Sequence, residues 1–347
     1  MDKPYVIGWR ATAVGKVPVV SAELTRADKW GGFKAAWSIG RMRYAVDPGL
    51  YAVGNPDQHS HVFVSANYKL SFDTLRRWLG GLDAWIMVLD TKGINVWCAA
   101  GKGTFGTLEM LNRIERTRLA EIVSHRRLIA PQLGAPGVAA HQVRQASGFA
   151  VKYGPVRARD IKAFLGAGLV ATPEMRRVRF SLLDRMRLVP VELVGSLKYL
   201  VFAAAVFLLV AGLGKHGYSS TAVIGVGGRS AVNLLLADLA GVLLGPALLP
   251  WLPGRSFSSK GLAAGFGVFA VSFLTGLAGT NPVEIMAWAC LMPAIASFLT
   301  MNFTGASTYT SLSGVRKEMR IAVPMQLTGG IIGVGAWLVS RFVGGRI

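Results

Sequence analysis

The sequence predicts an α/β domain with a doubly wound, Rossmann-like sheet, followed by an all-α domain of five transmembrane helices. Residues 1–190 hold nearly all the acidic groups, whereas residues 193–347 are mostly apolar, which separates a soluble domain from a membrane domain. Within 41–166, short strand patterns alternate with helical patterns. That alternation indicates mainly parallel strands joined by crossover helices.

The composition of the whole chain agrees with a membrane protein. Hydrophobic residues make up 52% of the 347 residues, only 16% are charged, and the mean hydropathy is +0.42. The formal net charge of +20 is compatible with binding of nucleic acid, but the sequence has no basic stripe interleaved with aromatic residues to support that function. The 2 cysteines are far apart and form no C-x-x-C pair, so this chain alone cannot hold an iron–sulfur cluster.

The first domain begins with an irregular lead, residues 1–40, whose Trp9, Trp30 and Trp37 are expected to pack on the α/β domain. The N-terminus lacks an apolar segment, so no signal peptide is expected. Ser71 is the expected N-cap of the first helix, with Asp73 in its first turn. The strand patterns are 43–46, 61–65, 84–90, 127–130 and 149–153, and the helical patterns are 71–79, 107–124, 137–147 and 157–165.

The strand at 84–90 is a continuous apolar run, which is typical of a strand buried on both faces. In doubly wound sheets, ligands bind beyond the carboxyl ends of the strands. The loops expected at those ends are 66–70, 91–106, 131–136 and 153–156.

One of these loops contains Cys98, within the run Asn95–Lys102. Asn95 is expected to cap a short helix, because its side chain can accept a free backbone N–H. Cys98 then lies in the first turn, where free N–H groups favour a thiolate, a good metal ligand or nucleophile. A small buried cysteine in ordinary packing is the alternative, and the spacing alone does not choose between them.

Two nucleotide motifs fit the same loop poorly. Residues 101–106 match G-x-G-x-x-G, but the glycines come well after the strand, and the region near Arg126, where an acidic residue is needed, is basic. A P-loop would need a hydroxyl residue where Gly103 stands.

Residues 95–102, NVWCAAGK, resemble the signature of the HgcA family, the membrane-bound corrinoid proteins of microbial mercury methylation. The runs DPGLYAVGNPD (47–57), SANYKLSFD (65–73) and GTFGT (103–107) resemble the same family. A similar corrinoid domain belongs to the large subunit of the corrinoid iron–sulfur protein of acetyl-CoA metabolism, which has threonine in place of Cys98.

The resemblance implies an enzyme, a corrinoid-dependent methyltransferase that passes a methyl group from methyl-cobalt(III) corrinoid to Hg(II), giving methylmercury. It implies that Cys98 is the catalytic residue and, as thiolate, the lower axial ligand of cobalt. Such a soft, negative ligand would favour departure of the methyl group with its bonding electrons toward Hg(II), an electrophile.

The family pattern also implies which residues contact the cobalamin-type corrinoid. They are Asn67, Tyr68, Asn95, Val96, Trp97, Cys98, Ala99, Ala100, Gly101, Lys102, Gly103, Thr104, Leu133, Gly134, Ala135, Tyr153, Gly154 and Pro155. The implied partners are a two-cluster ferredoxin (HgcB-like) as electron donor, and a methylated folate or a methyltransferase as methyl source.

The second half of the chain begins with a basic connector, 167–192, expected to lie against anionic lipid. The predicted spans are 193–213, 231–252, 261–279, 283–302 and 321–343, each near the length of a membrane-crossing helix. Lys and Arg cluster before the first span and after the second and fourth. The positive-inside rule therefore predicts an inner-membrane protein with a cytoplasmic N-terminal domain and an outside C-terminus.

Several residues of this half are not explained by membrane crossing. Asp238 is a functional candidate, or a structural partner of Lys198 or Arg229. Cys290 is expected to be a small packing residue. The hydroxyl-rich segment 302–320 also resembles HgcA sequence and is expected to dock the soluble domain or to line its cleft, with a plain polar loop as the alternative. Two prolines, Pro293 and Pro324, are expected to kink their spans.

Two other functions are compatible with the sequence. The first is a corrinoid methyl carrier of one-carbon metabolism, similar to that of the acetyl-CoA pathway. The second is a membrane transporter with a regulatory nucleotide domain. A transporter of that kind needs several paired charges within the spans, and the sequence offers essentially Asp238, so this is the weakest of the three.

Overall fold

The computed structural model describes residues 3–215, 217–303 and 312–343. The chain divides into two compact units, Met1–Val178 and Arg179–Ile347, and each is described by itself. The division falls inside the predicted connector 167–192.

A mixed sheet of strand order β1-β2-β3-β5-β4-β6-β7 forms the centre of the first unit. Strands β5, β4, β6 and β7 run parallel to one another, whereas β1 is antiparallel to β2, and β3 is antiparallel to β5. The strands are β1 Val6–Thr12, β2 Gly15–Val20, β3 Gly49–Val53, β4 His61–Ala66, β5 Ala84–Leu89, β6 Arg127–Ala130 and β7 Ala150–Tyr153.

Helices cover both faces of this sheet. They are α1 Arg26–Ala36, α2 Lys69–Trp78, α3 Val96–Lys102, α4 Thr107–Arg116, α5 Leu119–Ile122, α6 Ala140–Ser147, α7 Ile161–Gly166 and α8 Pro173–Arg176. All six β5 side chains are buried. Trp85 and Met87 enter one core with Phe149, while Ile86 enters the other with Phe72. Alternate residues of β5 thus supply opposite cores, as the pleat of a strand covered on both faces requires.

The prediction of an irregular lead at 1–40 is wrong. These residues form β1, β2 and α1, and Trp9 and Trp30 are 65% and 60% exposed instead of packed on the domain. The strand pattern is hidden in the sequence because β1 has large apolar residues on its exposed positions, so neither of its faces is clearly polar.

Other predicted elements shift. The strand expected at 43–46 is a 3₁₀ turn, Arg41–Arg43, followed by one bridge from Ala45 to Tyr68, and the real strand is β3. The helix expected at 107–124 breaks at Arg118, whose φ of 48° is left-handed, into α4 and α5. Ser71 is not an N-cap, because α2 begins two residues earlier. The four parallel strands agree with the predicted doubly wound sheet, but the whole sheet is mixed.

The second unit is helical. Five stretches are long and apolar enough to cross a membrane within the described ranges, Leu182–Ala211, Ser220–Ala247, Phe257–Leu274, Pro282–Met301 and Ser313–Val343. They comprise α9 Leu182–Met186, α10 Val189–Ala211, α11 Ser220–Ala222, α12 Gly228–Leu239, α13 Gly245–Ala247, α14 Phe257–Leu274, α15 Pro282–Met301 and α16 Leu312–Val343, with π-turns at Val223–Gly227 and Ala240–Leu244. A short hairpin, β8 Leu213–Gly214 and β9 Gly217–Tyr218, lies between the first two stretches. Membrane crossing stays a prediction.

Charged residues of this unit pair differently from the prediction. Arg229 and Arg341 both lie against the buried carboxylate of Glu284, at 3.6 and 3.2 Å. The alternative that Asp238 pairs with Lys198 or Arg229 is wrong, because Arg229 lies against Glu284 and the buried Asp238 Oδ2 has no hydrogen-bond partner in the described part of the chain.

The remaining predicted features lie in the last helices. Pro293 is inside α15 and Pro324 inside α16. Cys290 is half-buried in α15 and borders a groove of about 810 Å³. Of the hydroxyl-rich segment 302–320, residues 304–311 lie outside the described residues.

A buried ion cluster ties α1 to α2 in the first unit. Lys69 Nζ lies 2.6 Å from both Asp28 and Asp73, and Arg76 lies 2.8 Å from each of the same two carboxylates. Burial by itself would raise the pKa of Asp28. Hydrogen bonds from Lys69, from the Thr25 backbone and from Arg76 nevertheless hold this pKa well below its ordinary value.

Replacing Asp28 with asparagine is expected to destabilise the first unit by about 3 kcal/mol, because Lys69 and Arg76 lose a charged partner inside the fold. The folded-state pKa of Asp28 is below its unfolded value of about 3.9, so the contribution is complete above that pH and is lost as pH falls. Thermal unfolding of the purified chain, followed by near-UV circular dichroism, should show a difference that shrinks below about pH 4. Glu121→Gln, which breaks an exposed pair with Arg118, is the control and should change nothing measurable.

Candidate functional site

The carboxyl ends of four parallel strands meet at one edge of the sheet. They are the ends of β4, β5, β6 and β7, and the loops after them begin at Asn67, Asp90, Pro131 and Gly154. These are the four loops in which the sequence predicts ligand binding, and the structure brings them together.

The loop after β5 is held by one side chain from the loop after β4. Asn67 Oδ1 accepts the backbone N–H groups of Thr91 (3.1 Å) and Gly93 (2.9 Å), and the Thr91 hydroxyl lies 2.8 Å away. Asn67 Nδ2 donates to Asp90 (3.3 Å). Asn67 is 6% exposed, so its amide organises this loop instead of facing outward.

The short helix α3 comes next, as predicted. Asn95 is its N-cap, with extended backbone angles, and its Oδ1 accepts the backbone N–H of Cys98 at 3.0 Å. The predicted cap and the first-turn position of Cys98 are therefore confirmed. Gly103 ends the helix with a φ of 81°, a conformation that glycine adopts without strain. The Cys98 side chain is half-exposed.

The turn after α3 is anchored by a buried ring. Phe105 is fully buried and contacts the next ligand-side loop, where a Cβ on Gly134 would overlap its ring. A Cβ on Gly137 would overlap the Phe105 carbonyl oxygen. These two glycines allow the loops after β5 and β6 to pack backbone against backbone.

A cavity of about 350 Å³ opens beside the start of α3. Its walls are mostly apolar and come from five segments, the middle of β4, one side of α2, the α3 start, the end of β6 with the loop after it, and the segment after β7. The lining includes Asn95, Val96, Trp97, Pro131, Leu133, Gly154, Pro155, Val156, Ser71, Thr74 and Ala158. Cys98 is not part of the lining, but its three preceding residues are.

Polar atoms without partners lie in the same loops. Gln132 Oε1 and Tyr68 Oη are buried and have no hydrogen-bond partner in the described ranges. Burial raises the pKa of Tyr68, and Arg41 above its ring opposes that shift. Tyr153, in contrast, donates its hydroxyl to the Val138 carbonyl at 2.6 Å, and burial raises its pKa.

The predicted site residues thus fall into distinct places. Asn95, Val96, Trp97, Leu133, Gly154 and Pro155 line the cavity. Gly101, Lys102 and Gly103 are exposed on the far end of α3, Ala99 and Ala100 are buried beneath it, and Thr104 and Ala135 are half-buried. Sequence reasoning missed Ser71, Thr74 and Ala158, whereas Gln132 and Val156 lie in the predicted loops 131–136 and 153–156 but were not among the predicted contact residues. A signal for the first two was the proximity of the α2 start to a ligand-side loop.

Residues 38–165 match the family described as the CO dehydrogenase/acetyl-CoA synthase delta subunit. Curated relatives carry the name acetyl-CoA decarbonylase/synthase complex subunit gamma. The protein of Archaeoglobus fulgidus is 34% identical over 127 residues, which are 36% of this chain and 27% of the relative. That of Methanocaldococcus jannaschii is 37% identical over 97 residues (27% of this chain, 20% of the relative), and that of Methanopyrus kandleri 32% over 122 residues (35% and 26%).

The matched region spans about a quarter of the length of these relatives. It contains β3 to β7 and most of α7, and therefore every loop of the candidate site. It contains neither α1 nor the helical unit.

Replacing Asn67 with alanine is expected to cost about 2–3 kcal/mol, because two buried N–H groups lose their acceptor. Hydrogen exchange of the amides between Thr91 and Cys98 should become faster, and the thermal midpoint should fall. Asn55→Ala removes an exposed asparagine side chain and should leave both quantities unchanged. Unaltered exchange in Asn67→Ala would show that the loop does not depend on this amide.

Proposed function

We propose that the first unit binds a cobalamin-type corrinoid and that the protein transfers a methyl group carried by it. The half-exposed Cys98 thiol, placed by the Asn95 cap at the ligand edge of the sheet, is the observation that carries this proposal. The similarity of residues 38–165 to subunits of acetyl-CoA synthase complexes supports it, since the corrinoid iron–sulfur protein belongs to that system.

The residues at this edge fit such a group. A corrinoid is broad, and the cavity beside α3 has room for its lower-face tail between apolar walls. The unpartnered Gln132 Oε1 and Tyr68 Oη are free to accept from, or donate to, its amide side chains. Cys98 supplies a soft sulfur donor, which suits a soft, redox-active metal.

The side chains around Cys98 have definite tasks in this proposal. When bound, the corrinoid supplies a cobalt centre that carries the methyl group. Cys98 would hold this cobalt through its sulfur, and Asn95 fixes the backbone of Cys98 by its hydrogen bond. Leu133 and Gly154 would contact the tail in the cavity. Lys102, exposed one turn after Cys98, is placed to stabilise a thiolate or to meet an amide.

For the methyl acceptor we propose Hg(II). The run NVWCAAGK resembles the mercury-methylation signature, and Cys98 stands where the acetyl-CoA relatives of that family have threonine. A thiolate donates more electron density than a hydroxyl, which favours transfer of the methyl group with its bonding electrons to an electrophile. The half-exposed position of Cys98 is compatible with this proposal.

The second candidate is a corrinoid methyl carrier of one-carbon metabolism. The comparisons favour it, because the matched proteins are named as subunits of acetyl-CoA decarbonylase/synthase complexes. The described residues contain no group of three or more metal-ligating side chains. We infer that the electrons needed to reduce the corrinoid between methyl transfers to Hg(II) would come from a partner protein. We propose a two-cluster ferredoxin as that partner, a methylated folate or a methyltransferase as methyl source, and an inner-membrane location with this unit in the cytoplasm.

Thr74→Trp is expected to weaken retention of added cobalamin roughly ten-fold or more, because an indole at this exposed lining position fills the cavity. Equilibrium dialysis with cobalamin measures the effect, and an unchanged thermal midpoint shows that the fold is intact. Thr74→Val keeps the side-chain volume and serves as control. Equal retention by all three proteins would contradict tail binding in this cavity.

Cys98→Ala is expected to change the cobalt absorption spectrum of the protein loaded with cobalamin, and to abolish methylmercury formation. Cys290→Ala, in the other cysteine, is the control and should alter neither. Identical spectra of the wild type and Cys98→Ala would remove the thiolate ligand from the proposal.

Cys98→Thr separates the two acceptors. If Hg(II) is the acceptor, this variant binds cobalamin but forms no methylmercury. Methyl transfer that needs no mercury and survives in Cys98→Thr would instead support the one-carbon carrier.

A further inference from the structure

We propose that the outer face of α1 and the turn after it bind the surface of an anionic lipid bilayer. This aromatic face consists of Trp30, Phe33, Trp37, Ile39 and Met42. None of these five residues belongs to the ligand-side loops 66–70, 91–106, 131–136 and 153–156.

Helix α1 directs its small and acidic residues inward and its large apolar residues outward. Asp28 and Ala35 are 7% and 1% exposed, whereas Trp30 and Phe33 are 60% and 50% exposed. An amphipathic helix of a globular domain normally does the reverse. The outward apolar side chains therefore need an explanation other than packing of this unit.

The orientation of α1 is fixed from within. Asp28 is held by Lys69 and Arg76 in the buried ion cluster. A Cβ on Gly31 would lie 2.6 Å from Tyr44 Oη, so this side of the helix accepts no larger side chain. The aromatic side chains consequently cannot turn into the domain without displacing Tyr44 and the ion cluster.

The rings form one stripe. Trp30 and Phe33 are stacked, with centroids 5.3 Å apart and planes at 11°, and Phe33 and Trp37 have centroids 6.0 Å apart. Ile39 and Met42, which follow α1 in the chain, are 58% and 71% exposed. Large apolar side chains exposed in a group are typical of an interaction site.

The surroundings of the stripe are basic. The cationic residues between positions 26 and 43 are Arg26, Lys29, Lys34, Arg41 and Arg43. Asp28 is the acidic residue of that range, and it is ion-paired with Lys69 inside the fold. The described residues give no ion pair to Lys29 or Lys34. An anionic surface with an apolar layer beneath complements this arrangement.

A bilayer fits these features better than a folded partner does. Trp and Phe beside Lys and Arg are the composition of helices that lie at a membrane interface. The same chain has, in its described part, five helices long and apolar enough to cross a membrane, so a copy inserted in a bilayer would have lipid as its neighbour. The family match begins at residue 38, after α1, so α1 and the helical unit are both outside it.

The test uses the full chain in lipid nanodiscs, with p-benzoylphenylalanine in place of Phe33. After irradiation, mass spectrometry should find a phospholipid adduct at position 33 in discs containing phosphatidylglycerol. The adduct should be much weaker in phosphatidylcholine discs. The same photoreactive residue in place of Leu108, which is 83% exposed on α4, is the matched position and should give no lipid adduct.

The charge dependence is tested with a pair of double variants. Lys29→Gln with Lys34→Gln should reduce the adduct strongly, since each cation near an anionic surface contributes roughly five-fold to binding. Arg116→Gln with Arg144→Gln removes the same charge from α4 and α6 and should leave the adduct unchanged. Hydrogen exchange of residues 26–37 in the unaltered chain, slower in phosphatidylglycerol discs, is the measurement that needs no substitution.

Three crosslinking results would overturn the proposal. They are the absence of a lipid adduct at position 33 in anionic discs, an adduct that is equal in neutral discs and in the Lys29/Lys34 variant, and a crosslink to a second copy of the chain in place of lipid. Exchange rates that are the same in both kinds of disc would overturn it as well.

Discussion

The candidate site depends on one side-chain amide. Asn67 lies directly after β4 and accepts two backbone N–H groups of the loop after β5. The bond is possible because β4 and β5 are parallel neighbours, so their carboxyl ends lie at the same edge. The amide fixes the path of the chain toward Asn95, and Asn95 in turn fixes the first turn of α3. The position of Cys98 is thus set by two asparagines in succession.

The backbone of Cys98 is positioned by the N-cap of α3. Cys98 has its amide capped, Ala99 and Ala100 bury the inner side of α3, and glycines surround its outer end. A Cβ on Gly101 or Gly103 would meet no described atom within 4 Å, so the surface is open at this end of α3. Cys290, half-buried within a long apolar helix, has no comparable arrangement, so the two cysteines differ in setting although neither forms a disulfide.

Within each unit, polar and charged groups contact one another in apolar surroundings. In the first unit, four charges of α1 and α2 form a closed cluster. In the second, Glu284 faces two arginines, and Asn233 donates to the Leu277 carbonyl at 2.9 Å and accepts from Ser272 at 2.6 Å. Such contacts cost little only when each polar group is satisfied, which fixes how neighbouring helices meet.

Features that depend on neighbours along the chain can be derived from the sequence. The unbroken apolar run of β5, the cap of α3 by Asn95 and five long apolar stretches result from periodicity and from the hydrogen-bonding chemistry of single side chains. Features that depend on residues far apart required the folded structure, such as the partners of Asn67 and Glu284, the cavity shared by five segments, and the outward direction of Trp30. The hydrophobic pattern indicates that a side chain favours burial. Packing of α1 against Tyr44 and the Asp28 cluster determines which side of this helix is buried.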